Sequence, residues 1–380
     1  MKRVYLDNAA TTPIAKEVID VMHESMVENF GNPSSTHQNG RMAKAAIEKA
    51  RKNIAKQFHV SASEIYFTCG GTEADNWILN NAVSNLGVRT VITTEIEHSA
   101  VLDTLLHLQK KKGITIVYLS LDAKGRISLE ELQKILATGT EKKLVSLMWV
   151  NNEIGNVLPI KEVAEICKKN DVLFHSDTVQ AIGSYTVNLQ ELPIDFIVAS
   201  AHKFHGPKGV GFAFVRKGIP MEPMLYGGGQ ERGARSSTEN LHSIIGMDRA
   251  LQLSYTSLKE EMSMIADLKE YLIQGLYAIF PKLCFNGDSE SKDLSSPKIV
   301  NVRFPFSDDM LIFNLDLLGI SVSGGSACQS GATKGSHVLF KILDQEQFQK
   351  SSVRISFSKF TTKDEIEQFL QAVETRNTIR

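Results

Sequence analysis

Glu64-Ile-Tyr-Phe-Thr-Cys-Gly-Gly-Thr-Glu-Ala-Asp-Asn76 holds the pattern that decides the fold: an apolar run, a glycine turn and the opening of a helix. Glu64–Thr68 reads as a strand, and over Thr72–Asn85 apolar residues recur at three and four. The same unit returns downstream. Apolar, β-branched runs at Val91–Thr94, Ile114–Leu119, Leu144–Val150, Val172–His175 and Phe196–Ala199 alternate with helical stretches at Ala100–Lys112, Leu129–Leu136 and Ile160–Lys169. Such alternation predicts an α/β fold, a mainly parallel sheet with helices on both faces. Gly209–Val215 reads as one more strand, with an antiparallel placement open to it.

Asn240–Phe280 is a long amphipathic stretch. Beyond it, short strands near Ile299–Phe304, Gly319–Ser323 and Val353–Ile355 mix with helices near Asp308–Leu318, Ser336–Leu343 and Thr362–Glu374, the pattern of a smaller α+β unit. The expected division is a large α/β domain over residues 13–255. Residues 256–380, joined by an extended arm at 1–12, form the small domain. At 380 residues the chain is too long for one simple core. A formal charge of -1 argues against a general affinity for nucleic acid or anionic membrane. No apolar run suits a signal peptide or a membrane helix, so a cytoplasmic location with reduced thiols is expected. Cys69, Cys167, Cys284 and Cys328 form no CxxC pair and the histidines no HExxH spacing, so no metal site is expected.

In open parallel sheets, ligands gather beyond the C-terminal strand ends. The polar segments fall there repeatedly: Cys69-Gly-Gly-Thr-Glu73, Glu97-His-Ser99, Asn151-Asn-Glu153, Asp177-Thr-Val-Gln180 and Ser200-Ala-His-Lys203. Gly70-Gly71-Thr72 at a helix start offers N–H groups, a hydroxyl and a helix dipole to a phosphate. Taken alone, it reads more often as a capped turn. Asp177 is either a loop acid or the carboxylate that keeps a pyridine nitrogen protonated. Lys203, among Ser200, His202 and His205, is either a surface group or an amine placed to capture an aldehyde.

With these segments in view, the sequence resembles the class V branch of fold-type I pyridoxal-phosphate enzymes, and within it the cysteine desulfurases. The resemblance runs from Tyr5-Leu-Asp-Asn-Ala-Ala-Thr-Thr-Pro13 nearly to the end. It includes Phe30-Gly-Asn-Pro-Ser-Ser-Thr-His37, Gly71-Thr-Glu-Ala-Asp-Asn76, Val150-Asn-Asn-Glu-Ile-Gly155, Gly227-Gly-Gly-Gln-Glu-Arg-Gly233 and Ser323-Gly-Gly-Ser-Ala-Cys328. It implies a seven-stranded sheet, pyridoxal phosphate as cofactor and a homodimer. By position, it makes Lys203 the cofactor-binding lysine, Asp177 the partner of the ring nitrogen and Gln180 the partner of the phenolic oxygen. His98 stacks on the ring and serves as general acid/base, while Gly71, Thr72, Ser200 and His202 hold the phosphate. Thr238 reaches a neighbouring subunit's phosphate, and Asn152 and Arg354 grip the substrate carboxylate.

Cys328 lies in Gly324-Gly-Ser-Ala-Cys-Gln-Ser-Gly331, a run of small residues, and is the cysteine that resembles the family's sulfur acceptor. Cys167 and Cys284 read as structural, in or beside apolar residues, and Cys69 as packing or site lining. The implied reaction converts L-cysteine to L-alanine, leaves a persulfide on Cys328, and passes sulfur to an iron–sulfur scaffold or a tRNA-thiolation protein. The rivals are a selenocysteine lyase, another β-lyase or aminotransferase of the class, and a partner-binding scaffold without turnover. Three departures stand out: Ser237 where glycine is common, Gly71 where alanine is common, and Ser358-Lys359 in place of Gly-Arg.

Overall fold

The structure, a computed structural model, describes residues 3–324 and 335–379. Seven strands form one sheet in the order Ile65–Thr68, Gly211–Val215, Phe196–Ser200, Leu173–Asp177, Lys143–Ser146, Thr90–Thr93 and Thr115–Tyr118. Gly211–Val215 runs antiparallel to both its neighbours, and every other pairing in this sheet is parallel. The exception has a simple cause. The segment between Ser200 and Gly211 is shorter than the dozen or more residues that a parallel crossover needs. Because helices cover both faces, the inner strands are buried along nearly their whole length and do not alternate. Val91, Ile92, Leu144, Val145, Phe174, Ile197 and Val198 are all buried.

The observed elements differ from the sequence pattern in informative places. The run Leu144–Val150 is a strand only over Lys143–Ser146. Beyond it the backbone N–H of Met148 is taken by the Glu97 carboxyl at 2.7 Å, while Leu147 and Trp149 still donate to the His175 and Asp177 carbonyls at 3.1 and 2.9 Å. The long stretch after residue 240 is two helices, Leu241–Thr256 and Leu258–Ile279, parted at Ser257. Helices Lys16–Glu28 and Gln38–Gln57, for which no periodic signal was read, both pack against Leu241–Thr256.

A separate apolar cluster unites Val4, Leu6, Leu272, Leu276, Phe304, Val353, Phe357 and Phe369. Around it, Ile299–Arg303 pairs antiparallel with Ser352–Ser356 and with Cys284–Phe285. The N-terminal arm packs here, Val4–Tyr5 lying parallel to Ile320–Ser321. From there the arm crosses to the sheet, where Thr12 N–H donates to the His202 carbonyl at 2.9 Å. This crossing brings Ala9 and Ala10 to the strand ends. Among the described residues, no helix is long and apolar enough to cross a membrane.

Candidate active site

Parallel topology brings the C-terminal ends of successive strands to one edge, and a cavity of about 440 Å³ opens there. Gly71, Thr72, His98, Asn152, Asp177, Gln180, Ser200, His202, Lys203 and Arg354 all line it. Of the residues singled out in the sequence, Thr238 is exposed and lies outside the cavity. Cys328 lies outside the described residues.

One wall is a helix start. Gly71 N–H donates to Ser200 Oγ at 2.8 Å, tying the turn after one strand to the end of another. A Cβ on Gly71 would meet Val179 Cγ2 at 2.6 Å, so this chain's departure from alanine is matched by a valine pressed against it. Bare backbone at the N-terminus of Gly71–Ser84, with the Thr72 and Ser200 hydroxyls beside it, is a fitting cradle for a phosphate.

The floor is Asp177, the last residue of Leu173–Asp177 and 7% exposed. Its Oδ1 accepts the Val179 N–H at 2.9 Å. Burial raises its pKa, while the Val179 N–H and the nearby charge of Lys203 oppose that rise. His98 caps the helix Ser99–Lys112, its Nδ1 accepting the Ala100 N–H at 3.1 Å. With Nδ1 used as acceptor, the neutral ring carries its proton on Nε2.

The far side is the crossing arm. Lys203 Nζ donates to the carbonyls of Ala9 and Ala10 at 2.7 and 2.9 Å, and Gln180 Nε2 donates to Ala9 at 2.9 Å. His202 faces Thr11 Oγ1 at 3.2 Å. Burial, then Lys203 and Lys208, push its pKa down to about 4, so the ring is neutral near neutral pH. Arg354 is 2% exposed. It donates to the Asn152 carbonyl at 2.9 Å and pairs with Asp7 at 2.7 Å.

The cysteines sort unevenly. Cys167 is buried as expected, and burial pushes its thiol far up. Cys284 is exposed: on its short strand Phe285 points inward, so period-two alternation turns the sulfur out. Cys69 is likewise exposed and does not line the cavity. Partial burial of the sulfur and its bond to Glu73 push that thiol up to about 11, which makes it a poor nucleophile.

The sequence reading gave no role to several buried acids. Glu97, 2% exposed, accepts the Thr94 hydroxyl and the Met148 N–H, both at 2.7 Å, and burial raises it to about 8. Glu153 is fully buried and accepts the Ser336 hydroxyl, while His337 Nε2 lies 2.9 Å from the Glu97 carbonyl. Asp75 sits one turn inside the helix. The signal that could have found it is a charge on an apolar face, between Ala74 and Ile78.

A phosphate cradle, a buried carboxylate floor, a capping histidine and an amine held at the rim make a coherent fit to pyridoxal phosphate. Sequence comparison points the same way. Residues 4–369 match the family described as Aminotransferase class-V. The cysteine desulfurase IscS of Dictyoglomus turgidum is 39% identical over 378 residues, covering 98% of this chain and 94% of the relative. Among solved structures, a NifS-like protein superposes with a TM-score of 0.90 at 38% identity, all of each chain being covered. SspA in complex with cysteine superposes with a TM-score of 0.82 at 30% identity, covering 94% of this chain and 100% of the other. By its sequence over nearly its whole length and by its fold, the chain belongs to the class V aminotransferase family, and within it to the cysteine desulfurases.

Proposed function

We propose that this protein binds pyridoxal phosphate in the strand-end cavity and desulfurates L-cysteine to L-alanine, with Cys328 receiving the sulfur. The observation that carries the reading is the convergence of Lys203, Asp177, His98 and Gln180 with the Gly71–Thr72–Ser200 cradle on one cavity. When bound, the cofactor supplies an aldehyde that captures amines and a ring that accepts electron density from the substrate's α-carbon.

The chain's own residues do the rest. Gly71 and Thr72, with Ser200 and His202, would hold the phosphate, and Gln180 would hold the phenolic oxygen. Asp177 would face the ring nitrogen, where burial opposes its ionised form and the Val179 N–H and Lys203 favour it. Arg354 and Asn152 orient the substrate carboxylate, a planar anion that a guanidinium fork matches. Lys203 would be the amine that takes the substrate's α-proton and returns it. His98 takes the substrate's thiol proton. Cys328 thiolate then attacks the substrate sulfur. The carbon–sulfur bond breaks, its electron pair stays with the carbon fragment that becomes alanine, and a persulfide remains on Cys328. The solved relative that holds cysteine supports this choice of substrate.

Thr238, exposed beside the Gly227–Gly233 turn, is the residue offered to a partner subunit's phosphate in a homodimer. The persulfide's recipients are proposed to be cytoplasmic sulfur-acceptor proteins, an iron–sulfur scaffold or a tRNA-thiolation protein.

The test is direct. The purified protein should be yellow and should yield alanine and sulfide in equal amounts from L-cysteine and a thiol reductant. Cys328→Ala should lose both products while keeping the visible band, and Lys203→Ala should lose about 10²–10⁴-fold in rate. Cysteine turnover that survives Cys328→Ala would show a lyase instead, and a protein that cannot be reconstituted with pyridoxal phosphate would defeat the cofactor assignment.

A further inference from the structure

Beneath Asp177 lies a set of polar groups that this reaction does not use. His175 and Asp177 are two apart on one strand, so both project from the same face. His175 is 0% exposed, and its Nδ1 lies 2.9 Å from Ser146 Oγ on the adjacent strand, where the two residues are register partners. On the other side of the ring, Nε2 stands 3.2 Å from Asp75 Oδ1. Asp75 comes from the helix Gly71–Ser84, is 1% exposed and lines the cavity. Nε2 and Oδ1 are both buried and neither accepts or donates a hydrogen bond among the described residues, so each is the nearest charged or polar atom offered to the other. The chain Asp75–His175–Ser146 therefore runs from the cavity wall along one face of the sheet beside the floor.

Two carboxyl groups, Asp75 and Asp177, thus share one dry floor, with Glu97 a third close by. Like charges so placed cannot all ionise, and surroundings that treat them differently assign them different roles. Burial, then the charges of Asp177 and Glu97, raise Asp75 well above the usual carboxyl range. Burial alone pushes His175 down to about 3. Asp177 alone of the three faces the positive charge of Lys203 closely enough for it to favour the ionised form. A charged Asp75–His175 pair would place two ions where no water reaches, whereas a neutral acid against a neutral imidazole satisfies both atoms.

We propose that Asp75 is a positioning residue, a neutral acid that donates to Nε2 of His175 and so leaves the negative charge of the floor on Asp177. The ring then carries its proton on Nδ1, which donates to Ser146 Oγ. A second carboxylate charge in the wall would compete with Asp177 for the cofactor's ring proton, and the arrangement removes that competitor. The inference rests on the reading of Asp177 as the carboxylate beneath a pyridine nitrogen.

Infrared and ¹⁵N-histidine spectra of the holoenzyme, wild type and Asp75→Asn, test it. Wild type should show the C=O stretch of a protonated carboxylic acid that Asp75→Asn lacks, and a neutral His175 protonated on Nδ1. The pH midpoint of the cofactor's visible band should move by less than about 0.3 unit in Asp75→Asn, one neutral group replacing another; loss of an ionised carboxylate would move it by about one unit. An unchanged infrared spectrum, an imidazolium His175 or the larger shift would each overturn the proposal. Should Asp75→Asn fail to fold, the ¹⁵N spectrum of the wild type still decides. A colourless protein that refuses the cofactor would defeat the functional reading, while the infrared and ¹⁵N results would still settle the state of Asp75.

Discussion

Arg354 shows how much of a residue's role depends on what holds it. Its guanidinium is nearly buried, clamped by the Asp7 carboxylate and the Asn152 carbonyl, yet it reaches the cavity. A lysine has one charged point where arginine has a planar fork, so it cannot keep both anchors and also meet a substrate carboxylate. Arg354→Lys should raise KM for L-cysteine by about tenfold to a hundredfold with a smaller fall in kcat, as steady-state kinetics would show. At this scale much of the site was legible. Lys203, Asp177, Gln180 and His98 each stand a few residues after an apolar run, where a parallel sheet delivers its ligand-facing residues. Asp75 was not legible as a site residue, because an acid inside a helix looks solvated until its neighbours are known. Cys284 misled for a related reason, since an apolar neighbour in sequence does not fix which way a side chain turns, and Cys69, read as packing or site lining beside the glycine turn, is exposed outside the cavity.

Among the elements, the turn Glu231–Gly233 is held by contacts from far away. Both Glu231 oxygens accept from the Arg51 fork at 2.7 Å, and one also accepts the Phe67 N–H at 2.8 Å. The ion pair is almost fully buried, so removal of one partner strands the other's charge. Glu231→Gln should destabilise the protein by about 3–5 kcal/mol, read from urea unfolding. A few residues on, Ser237 has a φ of 104°, in the region that favours glycine. Ser237→Gly should therefore stabilise the fold, by up to about 1 kcal/mol in the same measurement, in spite of glycine's greater freedom when unfolded. The missed helices have a physical explanation too. Gln38–Gln57 buries Gly40, Ala43, Ala50 and Ala55 along with Ile47 and Ile54, and small residues give little hydrophobic contrast in a charged sequence. The break at Ser257 was equally hidden, since the amphipathic pattern carries on across it.

For the molecule as a whole, buried protons tie stability to pH. Glu97 has an ordinary value of 4.5 and is raised to about 8 in the fold. Across that window the native protein keeps a proton that the unfolded chain gives up, so the contribution of Glu97 to stability is present at low pH and is lost as pH rises. Urea midpoints of wild type and Glu97→Gln, compared at the two ends of the window, should shift in favour of the variant at the higher pH. The change should not exceed about 1.4 kcal/mol per pH unit.

Local order determined by itself that this chain makes strand–turn–helix units with polar residues at the turns, because periodicity and glycine placement act over a few residues. Only the tertiary structure decided that Asp7 would clamp Arg354, 347 positions away, that the arm's carbonyls would hold Lys203, and that His175 would face Asp75. Such contacts leave no local period. They exist because burial removes water, and each polar atom left in the dry interior must find its partner wherever the fold has brought one.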